Sequence, residues 1–172
     1  MDVFEAIKNR RSIRKYTSKE IENEKLNKIL ESARLAPSAN NSQEWKFIAV
    51  TDKSKIKEIA RTSGQDFIAA APAVIVGCAE ENKKVMFCGQ NAYTINLSIA
   101  FSFMILEAEE LGIGSCWIGH FNESKVKEIL DIPDSVKVVA LAPFGYPDEV
   151  PDQRPRKDFK DVVSFEKYKQ QA

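Results

Sequence analysis

The sequence predicts an α+β sandwich, in which helices flank a mixed central β-sheet. Two observations lead to this fold class. Segments whose apolar residues recur at helical spacing alternate with short apolar segments of strand length. In addition, one long segment, 85–106, contains no charged residue and predicts a helix buried on nearly all sides. With 172 residues, the chain is expected to form one domain, 1–172, that folds without disulfides or metal.

The chain up to residue 79 is predicted to contain three helices and two strands. Asp2 and Glu5 form a capping box for a first helix that runs to about residue 10. Thr17 and Glu20 are expected to do the same for a second helix, which Pro37 ends. A strand is then predicted at 45–51, a short helix from residue 52, and a buried strand at 71–79.

The central helix is predicted over 92–111, with Gly112 as its C-cap. A polar ridge marks one face of this helix, because four polar residues lie three or four positions apart: Asn91, Thr94, Ser98 and Ser102. A segment this polar is poorly suited to hydrocarbon, which argues against a membrane span. The pattern favours a central core helix or a helix at a subunit interface.

Beyond the central helix, the segment GIGSCWIG, 112–119, predicts a short strand that leads into a turn. Asn122 or Ser124 caps the next helix, and another strand begins at about residue 136. The tail, 146–172, is proline-rich and polar, then basic, and has little apolar periodicity. It is expected to fray or to pack on a partner subunit.

Composition argues against several classes of function. Lysine plus arginine and aspartate plus glutamate both number 25, so nothing in the net charge points to nucleic acid or to an anionic membrane. Three scattered cysteines, Cys78, Cys88 and Cys116, indicate reduced thiols in a cytoplasmic protein. The first residues include acids and no long apolar run, so they are not a signal peptide. A single histidine, His120, predicts no metal site.

Two clusters of basic residues are candidates for binding an anion. RRSIRKY, 10–16, lies between two predicted helices, and RPRK, 154–157, lies in the tail. Planar guanidinium groups match the oxygens of a phosphate, although an exposed basic loop is the simpler interpretation of either cluster alone. If the tail folds back onto the first cluster, the charges repel unless an anion lies between them.

The segment APSANNSQEW, 36–45, which we name the amide loop, has an unusual composition for a chain that is 29% charged. It places several neutral hydrogen-bonding side chains between a helix and a strand. A helix end and a turn need only one or two of them. The surplus predicts a surface that recognises a polar, uncharged ligand edge.

The segment GIGSCWIG ends in a glycine that permits close approach of a ligand to the backbone or a positive φ, although an ordinary strand end has the same pattern. The dinucleotide fingerprint, the phosphate-binding P-loop, and the CxxC, HExxH and GxSxG motifs are absent from the sequence. Cys116 lies in an apolar strand and is interpreted as a core residue, not a nucleophile.

Taken in order, RRSIRKY, APSANNSQEW, an apolar helix into LGIGSCWIG, FGYP and RPRK resemble the nitroreductase family of FMN-dependent oxidoreductases. The resemblance runs from Val3 to about Tyr168. It implies a nitroreductase-like α+β sandwich and an intertwined homodimer with two FMN molecules at the subunit interface. It also implies that the amide loop lies against the flavin bound by the other subunit.

The resemblance also implies a set of cofactor-binding residues. In the amide loop these are Pro37, Ser38, Asn41 and Gln43, with Asn40 as a further candidate. Phosphate and ribityl binding is implied for Arg10, Arg11 and Ser12, and a second phosphate clamp for Arg156 and Lys157. Arg14 matches the basic residue beside the pyrimidine end of the ring, where a fixed cation stabilises the reduced flavin. Ile118 and Gly119 match the turn whose backbone amides approach flavin N5.

The implied activity is ping-pong transfer of a hydride from NADH or NADPH, through flavin N5, to a nitroaromatic, a quinone or a similar electron-poor acceptor. No catalytic side chain and no metal are implied. Reductive dehalogenation or flavin cleavage on the same fold is an alternative, and a basic module that binds nucleic acid is a remote one. The sequence does not distinguish NADH from NADPH or name the acceptor.

The chain departs from the family pattern at two places. Glu44 stands where many members carry proline, and it is expected to add a negative charge beside the site and to loosen the loop backbone. The short length implies that the helical insertion that covers the flavin in larger members is short or missing.

Overall fold

The computed structural model describes residues 1–80 and 83–168. Its helices are α1 (Val3–Asn9), α2 (Asn23–Arg34), α3 (Lys53–Ser63), α4 (Ala92–Glu110), α5 (Glu123–Leu130) and α6 (Phe159–Val162). Its strands are β1 (Trp45–Val50), β2 (Ala73–Ala79), β3 (Gly114–Ser115) and β4 (Lys137–Gly145). Two short 3₁₀ turns span Ala39–Asn41 and Asp66–Ala70.

The four strands form one sheet in the order β1-β2-β4-β3, and each neighbouring pair is antiparallel. The prediction of a mixed sheet is therefore wrong for these strands. Among the described residues, the one parallel pairing is an isolated bridge between Ser12 and Ser115. Apolar periodicity identifies strands but carries no information on their direction, which is set by connections that pass through the tertiary structure.

Helices cover both faces of the sheet, which confirms the predicted α+β sandwich. Alternate residues of β2 point to opposite faces, and all seven are buried. Ile75 packs in one apolar cluster with residues of α2 and α4, whereas Val76 packs in a second cluster with residues of α3 and α5. The core therefore lies in two layers, one on each side of the sheet.

The predicted capping box of α1 is confirmed, since Asp2 accepts the Glu5 N–H and the Glu5 side chain accepts the Asp2 N–H. The predicted start of α2 is wrong. The helix begins at Asn23, and Thr17 accepts only a 3.3 Å hydrogen bond from the Lys19 N–H. The Thr17 N–H donates to the Tyr146 carbonyl at 2.9 Å, so a tertiary contact keeps the backbone extended where the helix was predicted.

The central helix, α4, ends at the predicted position, where Gly112 has a φ of +71°. The hydroxyl groups of its polar ridge donate to carbonyl groups one turn earlier: Thr94 to Asn91, Ser98 to Thr94 and Ser102 to Ser98. The helix is not buried on nearly all sides, because Ile95 and Phe103 are 36% and 41% exposed in the single chain. In the described part of the chain, no helix is long and apolar enough to cross a membrane.

The chain after α4 forms shorter elements than predicted. The strand at 112–119 is reduced to the two residues of β3. Asn122 caps α5 by accepting the Lys125 N–H at 3.1 Å. The tail is anchored at its start, where the Asp148 N–H donates to the Lys15 carbonyl at 3.0 Å and Lys15 pairs with Glu149. From 151 to 168 nearly every residue is exposed, and 169–172 lie outside the described residues.

Candidate functional site

The N-terminal basic cluster runs along the edge strand β3 immediately after α1. The Ile13 N–H donates to the Ser115 carbonyl at 2.9 Å, next to the parallel bridge formed by Ser12. Gly114 permits this approach, because a Cβ atom there would lie 2.6 Å from Cγ1 of Ile13. The sequence from Arg10 to Arg14 is thereby fixed at one edge of the sheet, with its basic side chains facing outwards.

The two basic clusters predicted from the sequence meet in one cleft of about 530 Å³. We name it the arginine cleft. Its basic residues are Lys8, Arg10, Arg11, Arg14, Arg154 and Arg156, and Asp152 is the one acid among its lining residues. Ser12 also lines it. The tail of the same chain therefore folds back onto the first cluster, which is the arrangement in which the charges repel unless an anion lies between them. Lys157 lines a different depression, formed by the tail alone.

The arginines of the cleft have different local roles. Arg11 Nη1 donates to the carbonyl groups at the end of α1, those of Lys8, Asn9 and Arg10, at 2.9, 2.6 and 3.0 Å. Its Nε is buried and has no hydrogen-bond partner among residues 1–80 and 83–168. Arg14 lies over the ring of Phe67 at 5.9 Å. Within the described residues, the structure shows no hydrogen bond or ion pair for the Arg10 guanidinium.

Two groups beside the arginine cleft have a pKa that burial raises and that the charges of the arginines act to lower. Burial raises the pKa of Glu109 on α4, and the charges of Arg11 and Arg10 oppose that rise. Burial likewise raises the pKa of the Cys116 thiol, against the charge of Arg14. A buried thiol with a raised pKa is a poor nucleophile, so the interpretation of Cys116 as a core residue is confirmed.

A second cleft, of about 580 Å³, adjoins the arginine cleft and shares Ile7, Arg10 and Ser12 with it. Its other lining residues are Ser98, Ser102, Ile105, Leu106, Ser115 and Trp117. The polar ridge of α4 thus faces this space. Ser115 and Trp117 were not singled out from the sequence, although both lie in GIGSCWIG, and only the pairing of Ser12 with β3 identifies them.

The turn after β3 brings Trp117 and Gly119 together. Trp117 is 47% exposed, and a Cβ atom at Gly119 would lie 2.9 Å from its indole ring, so only glycine fits there without displacing the ring. Ile118 is buried, and its N–H donates to the Leu141 carbonyl at 2.8 Å. Ile118 can therefore shape a pocket but has no free amide for a ligand. His120 is exposed.

The amide loop has a strained backbone. Asn40, Asn41 and Gln43 have φ values of +56°, +54° and +48°, in the left-handed region that residues other than glycine rarely adopt. Ser38 supports the turn, since its Oγ accepts the Gln43 N–H at 3.1 Å and its carbonyl accepts the Asn41 N–H at 2.9 Å. Pro37 is exposed, as are the side chains of the three strained residues.

The amide loop contributes no residue to the lining of the arginine cleft or of the adjoining cleft in its own chain. The expectation that Glu44 loosens the loop backbone is wrong. Its side chain points inwards, is 9% exposed and accepts a 2.6 Å hydrogen bond from Asn96 Nδ2 of α4. Glu44 therefore tethers the loop and does not loosen it.

The fold and the two clefts define a class of protein, an α+β sandwich with a basic cleft at one edge of its sheet. The family model described as "Nitroreductase family" matches residues 7–84 and 59–146. The chain belongs to the nitroreductase family, which confirms the resemblance seen in the sequence.

Individual relatives agree with this assignment. A nitroreductase family protein from Clostridium novyi NT is 37% identical, with a TM-score of 0.83 and 87% of each chain covered. An FMN-dependent nitroreductase from Clostridium difficile R20291 is 33% identical, with a TM-score of 0.83, over 96% of this chain and 99% of that one. An FMN reductase [NAD(P)H] from Bacillus subtilis is 28% identical over 173 residues, which cover 90% of this chain and 70% of the relative.

Proposed function

We propose that the protein transfers a hydride from NADH or NADPH, through bound FMN, to a nitroaromatic, a quinone or another electron-poor acceptor, and that two subunits build each FMN site. By family membership the chain is an NAD(P)H-dependent flavin oxidoreductase. The single observation that carries the two-subunit site is that the amide loop exposes its strained amide residues but lies outside both clefts of its own chain.

The arginine cleft fits the phosphate of FMN. Its six basic residues face one acid, and the buried Nε of Arg11 needs a hydrogen-bond acceptor that the described part of the chain does not supply. Arg10 and Arg11 are proposed to hold the phosphate, with Ser12 at the phosphate and ribityl group and Arg156 as a second clamp from the tail. Lys157 lies in another depression, which makes it the weakest member of the proposed set.

The ring of FMN, when bound, supplies the hydride chemistry. Arg14 is proposed to stand beside the pyrimidine end of the ring, where a fixed cation favours the negatively charged reduced form. The Gly119 amide is proposed to approach the flavin ring next to Trp117, because the absence of a side chain at Gly119 leaves room for the indole ring. Ile118, which is buried and bridged to Leu141, is proposed to shape the floor of this pocket.

The amide loop of the partner subunit is proposed to contact the neutral edge of the ring. Amide and hydroxyl groups of Ser38, Asn41 and Gln43 can donate and accept without adding charge, which suits alternating polar atoms. Asn40 and Pro37 complete the surface. The exposed side of α4, where Ile95 is 36% exposed beside Ile99, is proposed as part of the homodimer contact.

Anaerobic reduction tests this function directly. The purified protein, reconstituted with FMN, is expected to show flavin absorbance that bleaches on addition of NADH or NADPH, because family members take hydride from these donors. The bleached protein is then mixed with nitrobenzene derivatives, quinones or halogenated phenols, and return of colour identifies the acceptor class. A protein that takes up FMN but is not bleached by either donor would contradict the proposal.

A further inference from the structure

We infer that Glu44 and Asn96 form a buried clamp that holds the amide loop in its recognition shape. The two are positioning residues, and the inference rests on the proposed function, since the loop acts on FMN. Nothing in the family pattern demands this arrangement, because Glu44 is the position at which the chain departs from it.

The clamp is centred on Asn96, which lies on α4 and is 1% exposed. Its Oδ1 accepts the Ala39 N–H at 3.0 Å. Its Nδ2 donates to Glu44 Oε1 at 2.6 Å and lies 3.4 Å from Ser42 Oγ. One amide group thus grips the loop at two points, one before and one after the left-handed residues Asn40 and Asn41.

Both the side chain and the backbone carbonyl of Glu44 accept hydrogen bonds. Ser42 Oγ donates to Oε2, the second carboxylate oxygen, and the Glu44 carbonyl accepts the Glu80 N–H at 2.8 Å. Burial favours the neutral acid, but the hydrogen bonds from Ser42 and Asn96 outweigh it and leave the pKa of Glu44 below its ordinary value. The carboxylate is therefore charged, and its oxygens are occupied inside the protein.

The clamp stabilises a loop conformation that the backbone does not favour by itself. Three non-glycine residues of the loop have a left-handed backbone, and this conformation persists only where the surrounding structure fixes it. The clamp joins Ala39, Ser42 and Glu44 to a helix that is itself packed in the core. Loss of the clamp would let the strained residues relax, and their side chains would no longer be presented to FMN.

A charge exchange tests the clamp. Asn96→Asp places a second carboxylate 2.6 Å from Glu44 and is expected to raise the dissociation constant for FMN by roughly 30-fold, or about 2 kcal/mol. Glu44→Gln alone is expected to cost less than about threefold, because an amide can accept from Asn96 while Ser42 rotates its hydroxyl. The double variant restores one carboxylate facing one amide, so its affinity should return to within about threefold of the wild type.

The measurement is titration of flavin-free protein with FMN, followed by flavin fluorescence, with the thermal midpoint recorded for each variant. Val126→Ala is the matched control, because it opens the core on the opposite face of the sheet and should lower the midpoint without changing FMN affinity. Wild-type affinity in Asn96→Asp would overturn the inference. So would weak binding by a double variant whose midpoint has recovered. Failure of the wild type to bind FMN would instead overturn the proposed function.

Discussion

Replacing Arg10 with alanine is expected to raise the dissociation constant for FMN by roughly 10- to 100-fold, the range that a charge-assisted hydrogen bond in a partly buried site supports. Arg10 lines both clefts, and within the described residues its guanidinium has no hydrogen bond or ion pair. Its charge is therefore available to a ligand. Riboflavin, which lacks the phosphate, should bind the variant and the wild type with similar affinity. The measurement is fluorescence titration with each flavin.

Arg61→Ala is the matched control, since it removes an exposed arginine from α3, away from both clefts. It should leave the affinity for both flavins unchanged. Equal loss of FMN and riboflavin binding in Arg10→Ala would remove Arg10 from the phosphate site and assign it a structural role.

Replacing Ile95 with glutamate is expected to dissociate the proposed homodimer. Ile95 lies on the exposed face of α4, in a shallow depression with Thr94, Ser98, Ile99 and Ser102. A charge buried there without a partner costs about 3–5 kcal/mol, which weakens the dimer by roughly 150- to 5,000-fold. Because each site is proposed to need two subunits, flavin content should fall with the dimer fraction. Sedimentation velocity at two wavelengths measures both quantities.

Ser124→Glu adds a negative charge to an exposed position at the start of α5 and serves as the control. It should remain dimeric and keep its flavin. A monomeric Ile95→Glu variant that binds FMN as tightly as the wild type would contradict a site shared between subunits.

Local sequence signals were sufficient where the structure depends on neighbouring residues. The capping box at Asp2, the stop at Gly112 and the cap at Asn122 each involve groups within a few positions, and all three are observed. The predicted start of α2 was wrong because the Thr17 N–H donates to the carbonyl of Tyr146, a residue far along the chain. Strand direction failed for a similar reason, since it depends on where the connections run.

The residues of the candidate site also fall into two groups, those that local sequence predicted and those whose role depends on distant contacts. The basic clusters and the amide loop were recognised from composition and order, and the structure brings the two clusters into one cleft. The inward orientation of Glu44 was not predictable, because its partner Asn96 is 52 residues away along the chain. Ser115 and Trp117 were missed because their role depends on the bridge between Ser12 and β3.

A mixed dimer tests the shared site most directly. One chain carries Arg10→Ala in the arginine cleft, and a differently tagged chain carries Asn41→Gly, which removes an amide side chain but keeps the left-handed backbone. Both homodimers should bind FMN weakly at each site. The purified heterodimer joins the two defects in one site and leaves the other intact, so it is predicted to bind one FMN with wild-type affinity. A heterodimer without any wild-type site would show that each flavin is held by a single chain.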